Sequence, residues 1–187
     1  MRSKLPLFAA ALALAAPALA VETVGVPQFR SVELRGGGSV VVVAGPAQRV
    51  TILEGSSQFT RIQVERDGRL RIYTCNEQCP RTYHLRVEIQ SPAVPDLAIS
   101  GGGVITAQGG FRPQSHLATA VNGGGRIDAR AVEAASVSAA VNGGGEALVR
   151  PRSSLSAAVN GGGAVRYWGN PTVSMAVHGG GAVLRGG

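Results

Sequence analysis

The sequence predicts an all-β fold, a parallel β-helix or solenoid whose rungs are about 18–22 residues long. Three observations predict it. Gly-Gly-Gly triplets recur at 101–103, 123–125, 143–145, 161–163 and 179–181, with starts 22, 20, 18 and 18 residues apart. Each triplet follows a short apolar segment in which alternate residues are apolar, the period of a strand with one buried face. The interval suits one supersecondary unit per coil and is too short for a helix pair of ~34 residues or a propeller blade of ~40.

The elements follow in order. Residues 1–20 read as a signal peptide: Arg2 and Lys4 form a basic start, Leu5 to Ala16 an apolar stretch, and Ala18-Leu19-Ala20 a small-residue cleavage site. The mature chain is expected to begin at Val21, with no cysteine there to carry a lipid and no later stretch able to span a bilayer. It holds sixteen arginines, no lysine and eleven acids. The arginines are spread along the chain without interleaved aromatics, which argues against a nucleic-acid surface. Residues 21–95 form a strand-rich N-terminal part. Ser31–Leu34, Ser39–Val43, Arg49–Leu53, Thr60–Glu65, Arg69–Thr74 and Tyr83–Gln90 read as strands, broken by Gly36–Gly38, Gly45-Pro46, Glu54-Gly55 and Asp67-Gly68. Asp67-Gly68 between two alternating runs is a hairpin signal.

Residues 96–187 form the repeat part. Aligned on the triplets, four columns share the inward face by the period-two rule. They are Pro95, Leu117, Val137, Leu155 and Val173 six before; Leu97, Thr119, Ala139, Ala157 and Met175 four before; Ile99, Val121, Val141, Val159 and Val177 two before; and Ile105, Ile127, Ala147, Val165 and Val183 two after. The columns between them face outward. They hold Asp96, Ala118, Ser138, Ser156 and Ser174, then Ala98, Ala120, Ala140, Ala158 and Ala176, then Ser100, Asn122, Asn142, Asn160 and His178. The asparagines read either as an amide ladder at a corner or as a ligand-contacting row. Ser138, Ser156, Ser174, Asn122, Asn142, Asn160 and His178 are therefore a candidate interaction strip. The triplets Gly101, Gly102, Gly103; Gly123, Gly124, Gly125; Gly143, Gly144, Gly145; Gly161, Gly162, Gly163; and Gly179, Gly180, Gly181 are expected to be structural turns that supply positive φ and close backbone approach. They lack the spacing of a phosphate-cradling loop and the aspartates of a calcium-binding β-roll.

On Phe29-Arg30-Ser31-Val32-Glu33-Leu34, on Gly68-Arg69-Leu70-Arg71-Ile72, on Asp96-Leu97-Ala98-Ile99-Ser100-Gly101-Gly102-Gly103-Val104 and on the recurring Val-Asn-Gly-Gly-Gly, the chain resembles the putative auto-transporter adhesin head domain, the GIN domain, of exported bacterial proteins. The resemblance covers nearly all the mature chain. It implies a right-handed parallel β-helix after a strand-rich segment, with both parts in one domain, and a location in the cell envelope, in the periplasm or at the cell surface.

Cys75 and Cys79, so close in an exported chain, are expected to form a local disulfide. A metal site would need two more ligands, and His84 is the only histidine nearby. No cofactor motif appears. An alternative function, a β-helix enzyme acting on polysaccharide, would need clustered carboxylates; Asp128, Glu133 and Glu146 occupy different columns, and Glu146 is expected to pair with Arg126 one rung earlier. The favoured function is a non-catalytic, adhesin-like binding or scaffolding module whose partner is an envelope protein or a glycan. The strip either meets that partner or lies under the N-terminal part. The last rung, with no cap after it, is expected to be open to self-association.

Overall fold

The computed structural model describes residues 21–76 and 78–187. The predicted signal peptide lies outside them. The described chain is all-β, with no helix among these residues and fifteen strands in one hydrogen-bonded sheet. They are β1 (Glu22–Val24), β2 (Ser31–Gly36), β3 (Ser39–Ala44), β4 (Arg49–Glu54), β5 (Arg61–Val64), β6 (Arg69–Tyr73), β7 (Arg86–Ser91), β8 (Asp96–Gly101), β9 (Val104–Ala107), β10 (Gln114–Gly123), β11 (Arg126–Asn142), β12 (Glu146–Asn160), β13 (Ala164–Tyr167), β14 (Thr172–His178) and β15 (Ala182–Arg185).

The strands form two parallel ladders joined across the glycine triplets. One runs β6, β2, β8, β10, the second half of β11, the second half of β12, and β14. The other runs β7, β3, β9, the start of β11, the start of β12, β13 and β15. The registers pair equivalent repeat positions directly: Val121 with Val141, Val141 with Val159, Asn142 with Asn160, Ile127 with Ala147. β11 and β12 belong to both ladders, passing through the corner, at 129–135 in β11 and 150–153 in β12, without a break in strand conformation.

Alternation decides what is buried. Leu97, Ile99, Leu117, Val121, Val137, Val141, Leu155, Val159, Ile105, Ile127, Ala147 and Val165 all lie in one continuous apolar cluster, which extends back to Phe29, Leu34, Ile72 and Ile89 in the N-terminal part. In the last rung the same columns surface. Met175 is 64% exposed and Val177 39%, in their expected columns but against the expected burial, because nothing among the described residues stacks on the outer edge of β14.

The N-terminal part extends the ladders at their other end instead of lying over the strip. β2 pairs with β8 through Val32 and Leu97, Leu34 and Ile99, and Gly36 and Gly101, so Gly36–Gly38 is a sixth triplet stacked on Gly101–Gly103. Gly102 N donates to Gly36 O at 2.7 Å and Val104 N to Gly38 O at 3.0 Å. The chain then leaves sequential order: β6 and β7 add outside β2 and β3, so the first rung in sequence lies between two later ones. In that outermost rung Thr74 stands beside the triplet, accepting from Gly37 N at 3.2 Å and donating to Gly37 O at 2.5 Å. The Asp67-Gly68 hairpin joins β5 and β6 antiparallel, with Gly68 at φ 77°. The predicted strand at Tyr83–Gln90 begins only at Arg86, because Tyr83 turns its hydroxyl into the loop between β4 and β5, 2.8 Å from Ser56 N and 2.7 Å from Thr60 Oγ1.

Candidate binding face

The outer surface of the first ladder is set by the turns beside it. The first glycine of each triplet has positive φ, at Gly101, Gly123, Gly143, Gly161 and Gly179, as does Gly36. A side chain there would press on the carbonyl of the rung before it: a Cβ at Gly143 would stand 2.7 Å from Gly123 O, and one at Gly161 2.7 Å from Gly143 O. Close backbone stacking of this kind holds the residue before each triplet in column with its neighbours.

That column is the amide ladder. Asn142 Nδ2 donates to Asn122 Oδ1 at 2.9 Å, and Asn160 Nδ2 to Asn142 Oδ1 at 2.9 Å. Asn122, Asn142, Asn160 and His178 are all exposed, as are Ser138, Ser156 and Ser174 two columns away. Between them runs the alanine column, Ala98, Ala120, Ala140 and Ala158, half-buried by its neighbours. A groove of about 660 Å³ follows these columns from Arg30, Asp67 and Arg69 at one end to Ser156 and Ala158. Its floor is small and largely uncharged, and its N-terminal wall is charged.

The charged wall centres on Glu33, whose side chain is only 5% exposed. Its oxygens take Arg35 Nε at 2.9 Å, Arg71 Nε at 3.0 Å and Ser100 Oγ at 2.8 Å, with Arg69 Nη1 at 3.5 Å. Arg71 also reaches Glu65 at 2.5 Å. Burial pushes the Glu33 carboxyl up, but the hydrogen bonds from Ser100, Arg35 and Arg71 and the Arg35 charge outweigh it and hold it below the ordinary carboxylate range. Glu33 stands on β2, Arg71 on β6 and Ser100 on β8, so the cluster ties together the three strands that lie out of sequential order. Sequence reasoning missed it, although Glu33 in the Ala98 column was the available signal.

The second ladder carries arginine-held acids. Glu146 bridges Arg126 and Arg166, the latter at 2.8 Å; Asp128 takes Arg130 at 2.6 Å; and Glu133 lies 3.4 Å from Arg150. Burial raises the Asp128 carboxyl, yet Arg130 through its side chain and backbone N–H, with Arg126 behind it, brings it net below its usual value. Asp96 accepts Ala118 N at 2.8 Å. Among the described residues no three His, Cys, Asp or Glu side chains gather as a metal site. Cys75 and Cys79 form the disulfide, in the loop between β6 and β7. His116 stands on β10 and His178 on β14, while His84 lies in the loop before β7.

Tyr73 and Trp168, both half-buried, are engaged within the protein. The Tyr73 ring has Arg61 at 4.3 Å and Arg35 at 5.7 Å from its centroid. Trp168 has Arg130 at 5.1 Å and donates to Gly187 O at 3.0 Å. Among the described residues no helix is long and apolar enough to cross a membrane.

The sequence pattern described as putative auto-transporter adhesin, head GIN domain, matches residues 28–116 and again 96–171. A putative adhesin from Bacteroides fragilis has a similar fold, with a TM-score of 0.52 at 18% identity over 91% of this chain and 98% of its own. A putative lipid binding protein from Parabacteroides distasonis aligns at 0.39 and 15% identity over 90% and 96%, and a putative adhesin from Parabacteroides merdae at 0.37 and 15% over 90% and 96%. No curated protein matches the chain.

Proposed function

The chain belongs to the putative auto-transporter adhesin, head GIN domain family, and from that premise we propose that it is a non-catalytic, adhesin-like binding module exported to the bacterial cell envelope. Its two ladders are read as a right-handed parallel β-helix in which 21–95 and 96–187 are parts of one domain. Its binding face is the strip of Ser138, Ser156, Ser174, Asn122, Asn142, Asn160 and His178, and its partner is an envelope protein or glycan in the periplasm or at the cell surface.

One observation carries this reading: the strip is exposed, in register from rung to rung and left uncovered by the N-terminal part. Each asparagine uses part of its hydrogen-bonding capacity in the ladder, and an amide has four such sites in all. The spare groups repeat every ~4.8 Å along the column, the spacing of neighbouring strands. Beside them the alanine floor lets an extended chain approach closely. Recognition here works through repeated hydrogen bonds and shape, since no free aromatic platform lines the groove. Asp128, Glu133 and Glu146 are each engaged by an arginine, which supports binding over hydrolysis by a pair of free, facing carboxyl groups.

The test combines a glycan array with a cross-linking pull-down from envelope extracts, using the wild type and Asn142→Leu/Asn160→Leu. A partner retained by the wild type and lost by the double variant is expected. Equal retention by both would remove the strip from the function.

A further inference from the structure

We propose that β14 pairs antiparallel with β14 of a second copy about a two-fold axis at Met175, joining two molecules by their open rungs. The outer edges of β14 and β15 have no partner among the described residues. Met175, Val177 and Leu184 are 64%, 39% and 41% exposed there, whereas Ala157 and Val159, one rung back in the columns of Met175 and Val177, are buried. A bare edge with apolar side chains is a template for another strand.

The identity of that strand is written in β14 itself. Val173-Ser174-Met175-Ala176-Val177 reads the same in both directions in its inward residues and is small in its outward ones. Turned about Met175, Val173 faces Val177 of the partner subunit and Ser174 faces Ala176 of the partner subunit. Inward side chains therefore meet inward ones, as pairing in register requires. Thr172 then faces His178 of the partner subunit, so the two histidines fall at opposite ends of the interface. β14 and β15 contain no acid, and their only arginine is Arg185.

The opposite end of the ladders does not fit this edge. It is formed by the antiparallel strands β5, β4 and β1, with Arg61 and Gln63 exposed on β5. Head-to-tail stacking would bring β14 against Ile62 and Val64 of β5, but β5 and β1 are only four and three residues long, and edge strands so short are blunted against pairing. Like-to-like pairing closes as a dimer and builds no filament. This pairing does not depend on what the strip binds.

The experiment is sedimentation of the mature chain across a wide concentration range, combined with cysteine cross-linking. A monomer–dimer equilibrium with no larger species is expected. Met175→Arg, which places like charges directly opposite each other, should weaken it at least about tenfold while leaving the circular dichroism unchanged. Met175→Cys should form an interchain disulfide, since directly opposed residues stand ~4.5–5.5 Å apart between Cα atoms. Ala176→Cys should not, because its copies would lie about 8 Å apart on a two-residue offset. Val173→Cys and Val177→Cys should cross-link when mixed and neither should alone. A protein that stays monomeric, whether because another segment or another protein covers this edge, overturns the proposal. So does a ladder of higher oligomers, or cross-linking of Val173→Cys with itself.

Discussion

The three glycines of one triplet should respond very differently to alanine. At Gly143 the backbone has φ 116°, and a Cβ would lie 2.7 Å from Gly123 O. The left-handed conformation costs a side chain about 1–3 kcal/mol. Relieving the clash moves a carbonyl that already accepts Gly144 N at 3.1 Å, with about 1 kcal/mol of hydrogen bonding at stake. Gly143→Ala should therefore cost about 2–4 kcal/mol. At Gly145 a Cβ would stand 2.5 Å from both Gly125 O and Val121 Cγ1, so overpacking alone sets a cost of about 1–3 kcal/mol. At Gly144 a Cβ meets nothing within 4 Å and φ is not positive. There alanine should be neutral or stabilise by about 0.4–1 kcal/mol through the unfolded chain. Urea unfolding followed by circular dichroism reads all three midpoints. Equal losses at the three positions, or a loss at Gly144 matching that at Gly143, would refute the stacking argument and reduce the triplets to flexible linkers.

Other consequences can be measured on the same footing. Glu33→Gln should cost about 2–3 kcal/mol at neutral pH, because it removes the negative charge and turns one of the two oxygens shared by Arg35, Arg71 and Ser100 into an NH2 donor facing other donors. Because the folded Glu33 carboxyl lies below its unfolded value of about 4.3, the wild-type advantage should be full above that pH and disappear as pH falls through the folded value; an advantage that persists undiminished in acid would contradict the assignment. Replacing Cys75 and Cys79 by alanine should cost no more than about 2 kcal/mol, the limit for so short a loop, as judged by thermal unfolding. Thr119→Val should stabilise by about 1 kcal/mol, since the buried Thr119 hydroxyl has no hydrogen-bond partner among the described residues.

How much of this was legible depends on where the period is unbroken. From Leu97 to Val165 every inward column follows from alternation about the triplets, because burial on one face of a strand imposes period two whatever the partner. The Asn122, Asn142 and Asn160 row was legible for the same reason, and its ladder bonds follow from stacking in register. Gly36–Gly38 escaped recognition as a rung although Leu34 and Val40 flank it as Ile99 and Ile105 flank the next triplet. The two triplets start 65 residues apart because the segment between them carries another rung, whose turn is replaced by the disulfide loop, and no fixed interval survives. The out-of-order placement of β6 between β5 and β2 is tied by Glu33, Arg71 and Ser100, a contact among residues far apart in sequence that no local pattern encodes. Met175 and Val177 obey the column rule and fail the burial expectation, since a column is buried only where a rung stacks on each side.

The binding face is tested most directly by placing a photo-cross-linking residue at Asn142 in cells and, separately, at Arg152, which is exposed at the corner of β12 away from the asparagine column. The account predicts a discrete adduct from position 142 to an envelope protein or glycan, and none from 152. The same adducts from both positions, or adducts from 152 alone, would contradict it.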